Sequence, residues 1–211
     1  MFETKYSKFL TIVLVVIIVA IIALGGYLGY SYFESSSKVN DADKYVSTFV
    51  EEVANTTNNT NPFDQITSNT TSSSSGTKRT YKGFGMLGTM EIPATKFKYP
   101  VLEKVTKKSI ETAVAFQWGA GLNQPGNSVI IGHNYRNGMF FSNNKKLKNG
   151  DKIYITDNSG KKLTYTIYDK FETSDTDTSF YQRDTEGKAE ITLSTCTDDS
   201  KARLIILAKA E

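Results

Sequence analysis

Cysteine and histidine occur once each in this chain of 211 residues, and proline four times. A lone cysteine cannot form an intramolecular disulfide, which excludes a disulfide-stapled scaffold. One cysteine and one histidine cannot fill a tetrahedral zinc shell between them. An excess of charge of one sign is lacking as well: the formal net charge is only +3. No run of Lys and Arg is interleaved with aromatics as a nucleic-acid groove requires, so no nucleic-acid partner is expected. The hydrophobic fraction, 39%, is low for a compact domain, and much of it is spent in one N-terminal block.

That block divides the chain. No charged residue occurs from Phe9 to Phe33, and Leu10 to Leu24 is almost wholly aliphatic. About 20 apolar residues suffice to cross the hydrocarbon core as a helix. Residues 9–33 therefore read as a transmembrane anchor. Lys5 and Lys8 precede it, while Glu34, Asp41 and Asp43 follow it. The positive-inside rule then makes residues 1–8 a cytoplasmic tail and puts the remainder outside the cell membrane. A cleavable signal peptide is the rival reading, but its apolar region is shorter and ends in a small-residue cleavage site. Here the apolar run leads instead into Gly25-Gly26-Tyr27 and further aromatics.

Residues 34–80 read as a flexible extracytoplasmic stalk. Within it Tyr45, Val46, Phe49, Val50 and Val53 have helical spacing, which predicts a short helix over Asp43–Ala54. From Asn55 to Thr80 the composition is dominated by Asn, Thr and Ser, too polar to bury a core. Triplets beginning at Asn55, Asn58 and Asn69 match the glycosylation pattern, as chance alone provides in so biased a tract.

Residues 81–211 have a different texture. Short β-rich runs separated by turn signals predict an all-β barrel or sandwich. The expected strands are Gly85–Ile92, Lys98–Leu102, Ser128–His133, Lys152–Asp157, Lys162–Phe171, Ala189–Cys196 and Ala202–Lys209. One helix is expected over Lys107–Gln117, where Ile110, Ala113, Val114 and Gln117 share a face.

The two rarest residues fall at strand ends. Alternation along Ala189–Cys196 puts Ile191, Leu193 and Thr195 on one face and Thr192, Ser194 and Cys196 on the other. The first face belongs to the core, so Cys196 shares the polar one. A free cysteine is most often a small buried hydrophobe; a thiol at the mouth of a strand is also placed to react. His133 closes an apolar run before a polar loop, and Gly132 beside it permits a close chain approach. It is a structural histidine or a proton partner. A nucleophilic cysteine needs such a partner, and only one imidazole is present. Arg203 opens an otherwise apolar strand. It either pairs with Asp198 or Asp199 or stands beside Cys196, where a guanidinium would favour a thiolate and donate to a developing oxyanion.

Thr192-Leu193-Ser194-Thr195-Cys196 resembles the T-L-x-T-C signature of sortases, and Arg203, seven residues on, resembles their essential arginine. Gly132-His133-Asn134 resembles the family's histidine, in the order His, Cys, Arg. Met90-Glu91-Ile92-Pro93 and Pro125-Gly126-Asn127-Ser128 extend the likeness over roughly residues 85–208. The resemblance implies a mostly β fold: a closed eight-stranded β-barrel with short helices, preceded by one N-terminal transmembrane helix. It implies a cysteine transpeptidase with Cys196 as nucleophile, His133 as proton partner and Arg203 as oxyanion stabiliser. Thr195, Ser194 and Asn134 are then expected at the substrate. Its partners would be surface proteins or pilins bearing an LPXTG-like sorting signal, with a lipid-linked peptidoglycan precursor or a pilin lysine as amine acceptor in a Gram-positive cell wall.

Around the cysteine the signature resembles class B sortases, although Asp169–Lys188 is shorter than the helical insertion of that class. Asn61-Pro62-Phe63-Asp64 resembles the lid motif of pilin-polymerising members. No cofactor is expected. Glu172, Asp175, Asp177 and Glu186 lie before the cysteine strand, where some sortases bind calcium; solvated loop carboxylates are the plainer reading. Two rivals stand beside the transpeptidase. One is an anchored cysteine protease or thioesterase using the same residues. The other is a non-enzymatic tethered β-domain that binds a ligand; Phe140, Phe141, Phe180 and Tyr181 read as exposed aromatics that serve either a substrate groove or such a binding face.

Overall fold

A computed structural model describes residues 2–58 and 79–211, with side chains from 8–55 and 79–211. The chain forms two compact units, Met1–Lys38 and Val39–Glu211. The first is the leading part of α1 (Phe2–Asn58). Its apolar side chains, from Phe9 through Phe33, are exposed. It is long and apolar enough to cross a membrane.

The second unit begins with the rest of α1. Ala42, Val46, Phe49 and Val53 recur at helical spacing, and all four are buried. Each buried Val or Phe contributes about 1.5–3 kcal/mol of hydrophobic stabilisation. Tyr45 lies edge-on to Tyr81 with centroids 4.8 Å apart, and its hydroxyl donates to Thr80 O at 2.9 Å. Arg79 reaches back to Glu52 at 2.7 Å and sits over the Phe49 ring. The helix expected over Asp43–Ala54 is therefore present, as part of α1 and within the compact unit Val39–Glu211. The polar tract from 59 to 78, with the lid-like motif and the Asn69 triplet, lies outside the described residues.

Among the described residues nine strands follow: β1 (Thr80–Tyr81), β2 (Phe84–Ile92), β3 (Phe97–Leu102), β4 (Val114–Gly119), β5 (Gly126–Ile131), β6 (Lys152–Asp157), β7 (Lys162–Ser174), β8 (Ala189–Cys196) and β9 (Ala202–Ala210). They run in the order β1-β2-β3-β4-β5-β8-β9-β7-β6, and β6 pairs back onto β2. The eight strands β2–β9 thus close into a barrel without a free edge. Closure brings backbones close: a Cβ at Gly88 would meet Thr156 O at 2.3 Å across the β2–β6 seam. The pairs β3–β4 and β5–β8 are parallel and the others antiparallel. Alternating apolar residues fill the interior, with Met90, Ile92, Ile130, Ile153, Ile155, Tyr165, Ile191 and Leu193 wholly enclosed.

One expected element is different. The helix over Lys107–Gln117 shrinks to α2 (Lys107–Ile110), and Val114–Gly119 is a strand. Thr106 and Ser109 start α2 with a reciprocal capping box, Thr106 Oγ1 accepting from Ser109 N at 3.0 Å. Beyond Ala113 the β-branched and aromatic Val114, Phe116 and Trp118 favour extended backbone. Pairing of Val114 with Val101 then captures the segment as β4, the third strand of the barrel in chain order.

Candidate active site

Strands β8 and β9 place the cysteine and the arginine opposite one another. Their antiparallel register makes Cys196 and Arg203 direct partners, the last pair before the turn Thr197–Lys201. Cross-strand partners lie within reach of a long side chain. Arg203 Nη1 donates to Cys196 Sγ. Asp198 and Asp199, the rival partners for Arg203, are engaged elsewhere. Asp198 holds Lys145 at 2.5 Å and Asn134, while Asp199 caps Thr197 and Lys201.

The histidine arrives from the parallel neighbour. In the β5–β8 ladder Ile131 sits opposite Ser194. The pairing runs on past the strand, Gly132 N donating to Ser194 O at 3.2 Å and Thr195 Oγ1 to Gly132 O at 2.7 Å. The same register carried two residues further sets His133 beside Cys196. Gly132 is required there, since a Cβ would meet Val114 Cγ1 at 2.7 Å and the Phe141 ring at 2.9 Å.

His133 is half-buried and stacks on Tyr135 with centroids 4.9 Å apart. Burial, chiefly, lowers its pKa from the ordinary 6.5; Glu111 works against that and Arg203 adds to it. The imidazole is thereby held toward its neutral form.

Cys196, His133 and Arg203 line one groove of about 400 Å³, together with Ser194 and Thr195. Its far wall is the β7–β8 loop, which contributes Asp175, Asp177, Thr178, Phe180 and Tyr181. Phe180 is buried with Val129, Ile205 and Leu207, a small apolar cluster on the outer face of the sheet. That cluster explains why Thr192 and Ser194, expected on a polar face, are buried too. Phe140 and Phe141 are also buried, packing against Tyr99 and Phe97 beneath the histidine loop, so neither is the exposed aromatic that sequence suggested.

Asn134 stands apart from the groove lining. Its amide donates to Cys196 O at 3.0 Å and Asp198 Oδ1 at 2.9 Å, tying the histidine loop to the turn after the cysteine. Tyr135 and Gln117 belong to the site's surroundings and were not anticipated. Gly-His-Asn-Tyr places Tyr135 two residues beyond His133, on its side of an extended segment, and that spacing was the available signal. Of the loop carboxylates considered for calcium, Asp177 accepts from Thr173 Oγ1 at 2.5 Å and Ser179 N at 2.8 Å. Among the described residues no group of three or more His, Cys, Asp or Glu is placed to hold a metal ion.

A partly buried thiol, guanidinium and imidazole along one groove can carry nucleophilic acyl transfer. Comparison with known proteins bears on the same region. A family model described as "Sortase domain" matches residues 90–211. The chain is 32% identical over 124 residues to sortase A of Bacillus anthracis, across 57% of this chain and 58% of that protein, so it spans less than two thirds of this relative's length. Among solved structures, a lid mutant of sortase A from Corynebacterium diphtheriae is similar with a TM-score of 0.57 and 25% identity, over 64% of this chain and 74% of that one. Listeria monocytogenes sortase A has a TM-score of 0.55 at 23% identity, over 60% of this chain and 87% of that one. Sortase C-1 of Actinomyces oris has a TM-score of 0.54 at 22% identity, over 59% and 73%. These last two speak for the fold alone.

Proposed function

Because this chain belongs to the sortase family of cysteine transpeptidases, we propose that Cys196 attacks a sorting-signal peptide bond and passes the acyl group to an amine. The pairing of Cys196 with Arg203 at the mouth of β8 and β9, beside His133, carries this reading. Neutral His133 accepts the thiol proton as Cys196 Sγ bonds to the carbonyl carbon, and Arg203 donates to the oxyanion that develops. The tetrahedral intermediate collapses when the C–N bond breaks and the imidazolium gives its proton to the departing amine. An incoming amine then attacks the thioester, His133 takes its proton, and Cys196 leaves. A thioester keeps the acyl group activated, so one peptide bond is exchanged for another without ATP.

Ser194 and Thr195 belong to the substrate groove in this reading, while Asn134 acts through the Cys196 carbonyl. The substrates are surface proteins or pilins with an LPXTG-like signal, and the acceptor is a lipid-linked wall precursor or a pilin lysine. Lys5 and Lys8 before the apolar helix support a cytoplasmic N-terminus with the barrel outside.

Intact-mass analysis of the full chain in detergent, with LPXTG-like and NPQTN-like peptides, tests this. An acyl adduct on Cys196 that an added amine converts into ligated peptide is the expected result. Release only to water would make the protein a cysteine protease or thioesterase. No adduct from any peptide would remove the enzymatic reading.

A further inference from the structure

Beside the catalytic groove lies a second cavity of about 650 Å³, which shares Tyr181 with it. Trp118, Gly119, Ala120, Arg183 and Asp184 are among its walls. Trp118 is exposed and meets Tyr181 at a centroid distance of 5.9 Å, so two aromatic rings stand at the junction. Arg183 is ion-paired with Glu190 at 2.9 Å and donates to Asn127 at 2.9 Å and Tyr168 at 3.0 Å, its Nε alone lacking a hydrogen-bond partner. Asp184 is exposed on the loop. With Arg183 neutralised, the free character of the cavity is aromatic and anionic.

The geometry points to a subsite for a basic side chain of the substrate, upstream of the recognised motif. This rests on the transpeptidase reading above. The acyl half of the substrate stays bound through both half-reactions, whereas the departing and incoming amines must exchange with solvent. The acyl half therefore belongs in the sheltered part of the groove, beneath the β7–β8 loop that leads to Tyr181.

Register sets the distance. Trp118 pairs with Val129 and Val129 with Thr192, so Trp118 lies level with Thr192, four residues down β8 from Cys196 and two strands across. The other end of the cavity, at Gly126, is level with Ala189. At about 3.3 Å per residue and about 4.8 Å per strand, the cavity lies roughly 16–25 Å from the thiol. An extended peptide covers that in about five to seven residues. A four-residue LPXT segment falls short of it, so the first one to three residues before the Leu occupy the cavity. A Lys or Arg there would lie against Trp118 and Tyr181 with its charge toward Asp184.

Trp118 is the chain's single tryptophan, which makes its emission a direct reporter. The full chain in detergent is tested with LPXTG peptides carrying Lys or Glu at each of the three positions before the Leu. Acylation is expected to favour Lys over Glu about 3- to 10-fold in kcat/KM at one of those positions. Asp184→Lys, on an exposed loop, is expected to abolish or reverse the ratio. In Cys196→Ala the Lys peptide should change Trp118 emission saturably and at lower concentration than the Glu peptide. Equal rates with Lys and Glu, while Cys196 is still acylated, overturn the subsite and leave the functional reading standing. Emission that responds to free lysine but to neither peptide assigns the cavity to the acceptor and also overturns it. Absence of any adduct overturns the functional reading, and the subsite with it.

Discussion

Strands β5 and β8 form one parallel ladder whose two ends are used in opposite ways. At the N-terminal end the Asn127 side chain is spent wholly within the protein. The Asn127 amide donates to Phe180 O and Tyr181 O and accepts from Arg183 and Thr192, filling its whole hydrogen-bonding capacity. At the C-terminal end a thiol, an imidazole and a guanidinium line an open groove. The first end holds the β7–β8 loop; the second uses that loop as a wall. A buried polar side chain with all its partners supplied fixes a shape, whereas one facing a groove keeps capacity for a ligand.

Substitution at the open end should remove chemistry and spare the fold. Cys196→Ala is expected to abolish adduct formation, and Arg203→Ala to lower kcat/KM by roughly 10²–10³, as loss of an oxyanion donor does elsewhere. Both variants should melt close to wild type. A large fall in melting temperature in either would erase the contrast between the two ends.

At the Asn127 end the expectation is reversed. Asn127→Ala leaves the Phe180 and Tyr181 carbonyls without their donor, at a cost of about 2–3 kcal/mol. Thermal denaturation should show a loss of roughly 5–10 °C. An unchanged transition would mean that the loop is held by its apolar contacts alone.

A smaller effect concerns His133, whose resonance is unique because the chain has no other histidine. Burial and Arg203 hold its pKa below 6.5, and Glu111 opposes them. The NMR midpoint should therefore lie under 6.5 and fall further in Glu111→Gln. A depressed folded-state pKa means the unfolded chain binds more protons at acid pH. His133's contribution to stability is then present above 6.5 and lost as pH falls through the folded-state value. A midpoint above 6.5 would contradict the burial argument.

The mildest test is Asp198→Asn, which weakens the tie from Asn134 and Lys145 to the turn after Cys196. A few-fold loss in kcat with little change in KM, largest at low ionic strength, is expected. A change confined to KM would instead place Asp198 at the substrate.

Much of this contrast was legible in the sequence, and the unread parts share a cause. Short β-rich runs between turn signals marked β2, β3, β5, β6, β7, β8 and β9, and their positions at strand ends singled out Cys196, His133 and Arg203. Val114–Gly119 escaped because its apolar residues also fit a helical face, and only Val101 on β3 decided the matter. Asn127 enters the sequence reading only within the Pro125–Ser128 likeness, because its four partners lie far along the chain. Phe140 and Phe141 sit in a polar stretch, so their burial against Phe97 and Tyr99 could not be read locally. Asn134 was expected at the substrate, and its bond to the Cys196 carbonyl came from a contact between loops distant in sequence. Local pattern reveals strands and chemistry, while long-range pairing settles ambiguous segments.

The place of β9 between β7 and β8 has a consequence in time. Synthesis proceeds from the N-terminus, so the strand that completes the wall around Cys196 is made after both of its neighbours. Until Ala202–Ala210 slots into the gap, Arg203 is missing from the thiol and the sheet has two open edges. A nascent chain that already contains Cys196 therefore lacks the guanidinium beside its thiol, and the proposed chemistry waits until β9 docks.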